Sequence, residues 1–356
     1  MLHLRSAFKH QSARTTVHFG AGAIQQLASN VEELGCKRVL ILSRPNQSHE
    51  ALRVAAYLGP LAAGIYASAV ERSPPFIADD AIEHLRQTEA DCTVAIGGGS
   101  AIGLSKAIAL QTDVHQIVVP TTYSGSEVTP LLNHRDNDRN TILADPKILP
   151  EVVIYDPELT LDLPLRTTVS SAISAMSHAV EALYARNSTP ISSMLAHEGL
   201  RAFAGALPIL LEEPKNETAR GEVLYGAWLC GTVLGQVEMA LHHKLCDVLG
   251  HAFGLPHALV HSVILPHAIA YNEPAARSLL VPVCEVLGGY SASNALDTFV
   301  RKVGAPRSLR ELGLVESDLD RVTALINSEA FQNPEKVTSV GIRRIMQRAW
   351  EGAPAQ

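Results

Sequence analysis

Residues 92–103, Cys92-Thr93-Val94-Ala95-Ile96-Gly97-Gly98-Gly99-Ser100-Ala101-Ile102-Gly103, decide the fold. The first five read as a strand buried on both faces, and Leu104 to Leu110 read as a helix. The glycines between them let the backbone take positive φ and approach a ligand closely. Ser100 is expected to cap the helix, whose N-terminal amides suit an anion such as a pyrophosphate. The run is not a GxGxxG fingerprint, and a tight structural turn has the same appearance.

Outward from this turn the pattern repeats. Arg38 to Leu42, Gln116 to Pro120 and Val152 to Tyr155 read as further buried strands, and Asp79 to Thr88 as an amphipathic helix. Strand, helix and strand in succession imply an open, mostly parallel, doubly wound sheet. Pro120-Thr121-Thr122-Tyr123-Ser124-Gly125-Ser126-Glu127 ends the strand after the glycine turn. Two such loops at adjacent strand ends form the ligand crevice of an open sheet, which favours a dinucleotide. The early strand ends at Ser43-Arg44-Pro45, without an acidic residue for a ribose 2′-hydroxyl. Arg44 suits a 2′-phosphate or simply the solvent, so NADH and NADPH both stay open.

Beyond Asp156-Pro157 the sequence turns helical, which divides the chain into an α/β dinucleotide-binding domain (1–157) and an all-helical domain (158–356). Pro190, Pro208, Pro214, Pro256 and Pro266 are expected to start or stop helices. Glu222 to Gly250 reads as one long buried helix, and the last five or six residues as a frayed tail.

Composition limits the function. The 356 residues are 47% hydrophobic and 18% charged, a globular profile long enough for two cores. A net charge of −7 without a basic run argues against nucleic-acid binding. Met1 to Arg5 has no apolar segment behind it to serve as a secretory signal, and no uninterrupted apolar stretch is long enough to cross a bilayer. Five scattered cysteines, none in a CxxC pair, suit reduced core residues in a cytoplasmic protein.

The helical half concentrates unusual polar groups. Ser174 and His178 are four residues apart and share a helix face, as do His243 and Asp247. His242, His243, His251, His257, His261 and His267 fall within 26 residues, beside Lys244. Such a group can supply metal ligands, a proton donor or a cationic pocket, and spacing does not choose among them.

Together these segments resemble the iron-containing (group III) alcohol dehydrogenase family, and within it the maleylacetate reductases. The resemblance is carried by AIGGGSAIGLSKAIAL (95–110), VPTTYSGSEVTP (119–130), DPKILPEVVIYDPELTLDLP (145–164), SHAVEALYA (177–185), LYGAWLCGTVLG (224–235) and ALHHKLCDVLGHAFGLPHA (240–258). It implies a dehydroquinate synthase-like fold, NAD(P)H-dependent reduction of maleylacetate or a related dicarboxylic acid in aromatic-ring degradation, and a homodimer. By position it implies Gly97, Gly98, Gly99 and Ser100 on the pyrophosphate, with Thr121, Thr122 and Ser126 beside the cofactor and Ser43 at its edge. His178 and His243 would line the substrate site, His257 or His242 would donate a proton, and Lys244 would bind a carboxylate.

The family's metal ligands, one aspartate and three histidines, fall at Ser174, His178, His243 and His257. Serine carries no charge, so a required metal is not expected, although Zn²⁺ or iron could use His178, His243 and His257. Asp247 stands where the family usually has histidine, Val260 where maleylacetate reductases usually have glutamate, and Asn140, in a loop read from His134 to Thr141, about where a lysine is usual. These departures, on the substrate side, leave room for another reaction on the same scaffold: a lyase, cyclase or isomerase, or a cofactor-binding regulator.

Overall fold

The computed structural model describes residues 14–71, 74–136, 139–327 and 331–355. The N-terminal stretch read above for a secretory signal lies outside the described residues, and so does the side chain of Asn140.

The first half runs β1 (Thr16–Phe19), α1 (Leu27–Glu33), β2 (Val39–Leu42), α2 (Ser48–Leu58), β3 (Ala62–Tyr66), α3 (Pro75–Gln87), β4 (Cys92–Gly97), α4 (Gly99–Thr112) and β5 (His115–Pro120). An antiparallel hairpin, β6 (Leu131–Asp136) and β7 (Arg139–Ala144), precedes β8 (Val152–Tyr155). The six other strands form one parallel sheet in the order β1-β8-β5-β4-β2-β3. Residues in β2, β4 and β8 are buried throughout, because both faces of the sheet are covered. Alternate side chains serve different cores. Val39, Ile41, Val94, Ile96, Ile117 and Ile154 face one, while Leu40, Leu42, Ala95, Val118 and Val153 face the other.

The second half is helical: α5 (Leu165–Tyr184), α6 (Pro190–Glu212), α7 (Glu217–Leu234), α8 (Leu241–Ala252), α9 (His257–Ala276), α10 (Val281–Leu287), α11 (Ala292–Lys302), α12 (Leu319–Asn327) and α13 (Ser339–Glu351). Thr189, Asn216, Ser291 and Thr338 each cap a helix by accepting from its first-turn backbone. Among the described helices α6 has the length and apolar content of a bilayer span, yet it packs between α5 and α7 with Leu200, Phe203 and Leu207 buried.

Four sequence expectations are corrected. The long helix over 222–250 is broken: α7 ends at Leu234 and α8 begins at Leu241. Pro208 and Pro266 lie inside α6 and α9 rather than at their ends. Burial of Val263, Ile264, Leu265, Ala268 and Ile269 around Pro266 outweighs the roughly 3 kcal/mol a helical proline costs. The stretch around Asn140, read as a loop, belongs to the β6–β7 hairpin. The C-terminal tail is held: Arg348 donates to Pro354 O at 2.5 Å, and Ala355 is buried.

Candidate active site

The sheet order reverses direction between β2 and β4. The chain leaves β2 toward β3 on one side and leaves β4 toward β5 on the other, so their carboxyl-end loops diverge and open a crevice. The glycine turn sits there. Gly97 has φ 139°, and a Cβ on it would stand 2.8 Å from Gln47 Oε1 in the loop after β2. A Cβ on Gly98 would stand 2.7 Å from Thr122 Oγ1. Thr121 N donates to Gly97 O at 2.9 Å, and Gln47 Nε2 donates to Thr121 Oγ1 at 3.1 Å. Gly97 is therefore glycine for its positive φ, and Gly98 because Thr122 of the neighbouring loop presses on it. Gly99 differs: nothing lies within 4 Å of the Cβ it lacks.

Ser100 does not cap α4. The strand runs through Gly97, the helix starts at Gly99, and Gly98 holds the cap position without a side-chain bond. Ser100 lies in the first turn instead, half-buried, beside backbone amides that no side chain caps. Ser43 is buried at the end of β2, its hydroxyl donating to Arg44 O at 3.3 Å, and Arg44 is exposed.

The loop after β5 is braced from two sides. Lys106 of α4 is buried and its ammonium donates to Ser126 O, Thr129 O, Thr129 Oγ1 and Leu131 O at 2.7–3.0 Å. Burial pulls its pKa down to about 7, against the raising pull of Glu127. From the helical side, Gly125 packs on Gly231 of α7, where a Cβ would fall 2.6 Å from Gly125 Cα. Arg220 of α7, also buried, donates to Tyr123 Oη at 3.2 Å and to Thr168 Oγ1 at 2.7 Å. The loop carrying Thr121, Thr122 and Ser126 is thus fixed by both halves of the molecule.

The histidines gather on α5, α8 and α9. The His178 and His243 rings are 5.1 Å apart, His243 and His261 5.2 Å, and His257 and His261 4.6 Å, centroid to centroid. His242 is fully buried, its Nε2 2.9 Å from His261 Nδ1. Ser177 Oγ donates to Ser174 O at 2.7 Å and lies 2.9 Å from His261 Nδ1. Burial, reinforced by the neighbouring imidazoles, pushes His178 and His261 far below the usual histidine range and His242 to about 3. His178 Nδ1, His243 Nε2 and His261 Nε2 are buried with no hydrogen-bond partner among the described residues. Lys244 is half-buried in the first turn of α8.

Sequence reasoning missed Glu181. One turn beyond His178 on α5, it is fully buried and lies 2.6 Å from His243 Nδ1. Burial would raise its pKa, but the His243 hydrogen bond, the His243 and His242 imidazoles and the Ala240 amide hold it at about 2. A lone acid in the apolar run Ala179-Val180-Glu181-Ala182-Leu183 was the available signal. Asp247 Oδ1 lies 3.3 Å from His257 Nε2. Val260, grouped above with the substrate side, packs instead in the apolar core with Leu241, Leu245 and Leu249. His261 and Gln47, given no role above, join the histidine group and the glycine turn.

A switch-point glycine turn on a parallel sheet, joined to a helical domain with clustered imidazoles, defines a nicotinamide-dependent oxidoreductase of two domains. The Iron-containing alcohol dehydrogenase model matches residues 14–157, and the Fe-containing alcohol dehydrogenase family, C-terminal, model matches 168–350. The chain belongs to this family. It is 49% identical over 346 residues to the maleylacetate reductase of Rhizobium sp. strain MTP-10005, covering 97% of this chain and 98% of that one. It is 43% identical to that of Sphingobium indicum, covering 95% and 96%. The crystal structure of maleylacetate reductase from Agrobacterium tumefaciens superposes with a TM-score of 0.95 at 48% identity, covering 98% and 99%.

Proposed function

We propose that the chain reduces maleylacetate to 3-oxoadipate with NADH or NADPH. The observation that carries this is the near-complete match to maleylacetate reductases, extending through the histidine group. Hydride from nicotinamide C4 adds to the alkene carbon β to the ketone, and the enolate formed takes a proton at the α carbon. NAD(P)⁺ and the saturated keto diacid leave.

Gly97, Gly98, Gly99 and Ser100 present the uncapped start of α4 to the pyrophosphate. Thr121, Thr122 and Ser126 flank the cofactor, and Ser43 supports the rim. His243, its Nδ1–H held by Glu181, is the proton donor we favour, giving up the Nε2 proton of its imidazolium form. His178 lines the pocket beside it. His257 and Lys244 bind carboxylate. His242, read above as another donor, has its Nε2 occupied by His261 and is assigned to buttressing the ring group.

The reaction as proposed needs no divalent ion. Ser174 supplies no anion, His257 is turned to Asp247, and Glu181 is committed to His243 and backbone amides. Imidazoles alone, His178, His243 and His261, with no free carboxylate beside them among the described residues, are a poor set for a hard cation. The resemblance further implies a cytoplasmic homodimer, for which the outer edge of β1, with Phe19 41% exposed, is the surface we offer. The test is NADH oxidation by purified protein with maleylacetate, before and after chelation. No oxidation by folded protein would sink the assignment, and loss on chelation restored by metal would sink metal independence. Net NADH consumption also separates reduction from a lyase or isomerase.

A further inference from the structure

We propose that Glu181 is the positioning residue that fixes the tautomer and aim of the His243 ring. The proposal rests on His243 acting in the reduction described above.

Donor and acceptor counting carries it. An ionised carboxylate only accepts, so every close neighbour of Glu181 must donate. Oε2 takes Ala240 N at 2.9 Å and His243 N at 3.4 Å, while Oε1 takes His242 N at 2.9 Å and Tyr184 Oη at 3.0 Å. His243 Nδ1, 2.6 Å from Oε2, therefore carries a hydrogen. Nε2 is then the nitrogen left for chemistry, buried among the His178 and His261 rings with no partner among the described residues. A ring flip would abandon the shortest contact the side chain makes.

The same carboxylate sets where the ring stands. The first turn of α8 has no side-chain cap of its own, and three backbone N–H groups near its start end on Glu181. The break between α7 and α8 is what frees these amides. One acid on α5 thus fixes both the start of α8 and the orientation of the histidine in its first turn. Tyr184 is held in turn by Asn272, whose Nδ2 lies 3.3 Å from the phenol oxygen, so the acid has little freedom to move.

Two measurements test this. In wild-type protein labelled with ¹⁵N-histidine, with the His243 signals assigned by their loss in His243→Asn, Nδ1 should be protonated. A His243 found as the Nε2–H tautomer overturns the proposal. In Glu181→Gln, checked for folding by circular dichroism, kcat should fall on the order of 100-fold while the NADH dissociation constant stays put. The solvent deuterium effect on kcat should rise, because proton delivery becomes limiting. A folded Glu181→Gln whose kcat stays within about threefold of wild type also overturns it. Should the wild type itself fail to oxidise NADH with maleylacetate, the assigned reaction falls, and the tautomer measurement still decides the role of Glu181.

Discussion

Asp247 Oδ1 lies 3.3 Å from His257 Nε2 across the turn joining α8 to α9. Burial works against the charge of Asp247, but the hydrogen bond and charge of His257 keep its pKa below the usual carboxylate value. An aspartate in a dicarboxylate pocket would repel the substrate if it faced it alone. Paired with His257, it is offset, and it aims that imidazole instead. Asp247→Asn should lower kcat/KM for maleylacetate by roughly 10-fold, the worth of one hydrogen bond to a charged group. Affinity for NADH should hold. Unchanged kcat/KM would show that the pair does not orient His257 for substrate.

Gly99 has open space where Gly98 has Thr122. Gly99→Ala should therefore fold with wild-type thermal stability, since alanine suits the first turn of a helix. The added methyl projects into the opening where the pyrophosphate is proposed to approach, so NADH affinity should fall by about 10-fold or more. Gly98→Ala must displace Thr122 and should lose both stability and affinity. Undiminished NADH binding by Gly99→Ala, measured by fluorescence titration, would place the cofactor elsewhere.

Much of the sheet was legible because buried parallel strands are short apolar runs next to turn residues. Val152–Tyr155 is read to the residue, and β2, β4 and β5 to within one. Strands β1 and β3 were not read, since neither is wholly buried: β1 is an edge strand with Thr16 and Phe19 exposed, and four of five β3 residues are half-buried. The break at 235–240 escaped because its cause is tertiary: Glu181, some sixty residues upstream, takes amides that a continuous helix would have paired. For the same reason the histidines could be counted in the sequence but not assigned. Which nitrogen of each ring is free depends on Glu181, Ser177 and Asp247, and only the fold sets those contacts.

Gly231 is the point where α7 meets the cofactor loop. A methyl there would fall on the carbonyl oxygen of Gly125 and 2.6 Å from its Cα, and neither is the end of a flexible side chain. Gly231→Ala must push residues 121–126 away from the helix. We expect a loss of about 1–3 kcal/mol in stability, typical of overpacking, together with weaker NADH binding. The paired loss is the diagnostic, because Lys106 still holds Ser126, Thr129 and Leu131 from the other side. A variant as stable as wild type with unaltered NADH affinity would refute the bracing role.

Four buried histidines make the protein acid-sensitive. Burial is the main cause in each: His242 is pushed to about 3, His267 to about 4, and His178 and His261 far below their usual value. The ordinary histidine value is 6.5, so between there and the depressed values the unfolded chain binds protons that the native state refuses. Their contribution is fully present above pH 6.5 and is lost as pH falls, by about 1.4 kcal/mol per pH unit for each group. Glu181, held at about 2 against an ordinary glutamate value of 4.5, acts in the same direction below pH 4.5. Thermal unfolding should therefore show a clear drop in Tm from pH 7.5 to pH 5, above the range in which ordinary carboxylates titrate. His267 sits outside the ring group, so His267→Gln should flatten the slope by one proton and leave turnover intact. A Tm independent of pH over that interval would mean that these four imidazoles take up protons in the folded protein as they do in the unfolded chain, and their burial as neutral groups would have to be abandoned.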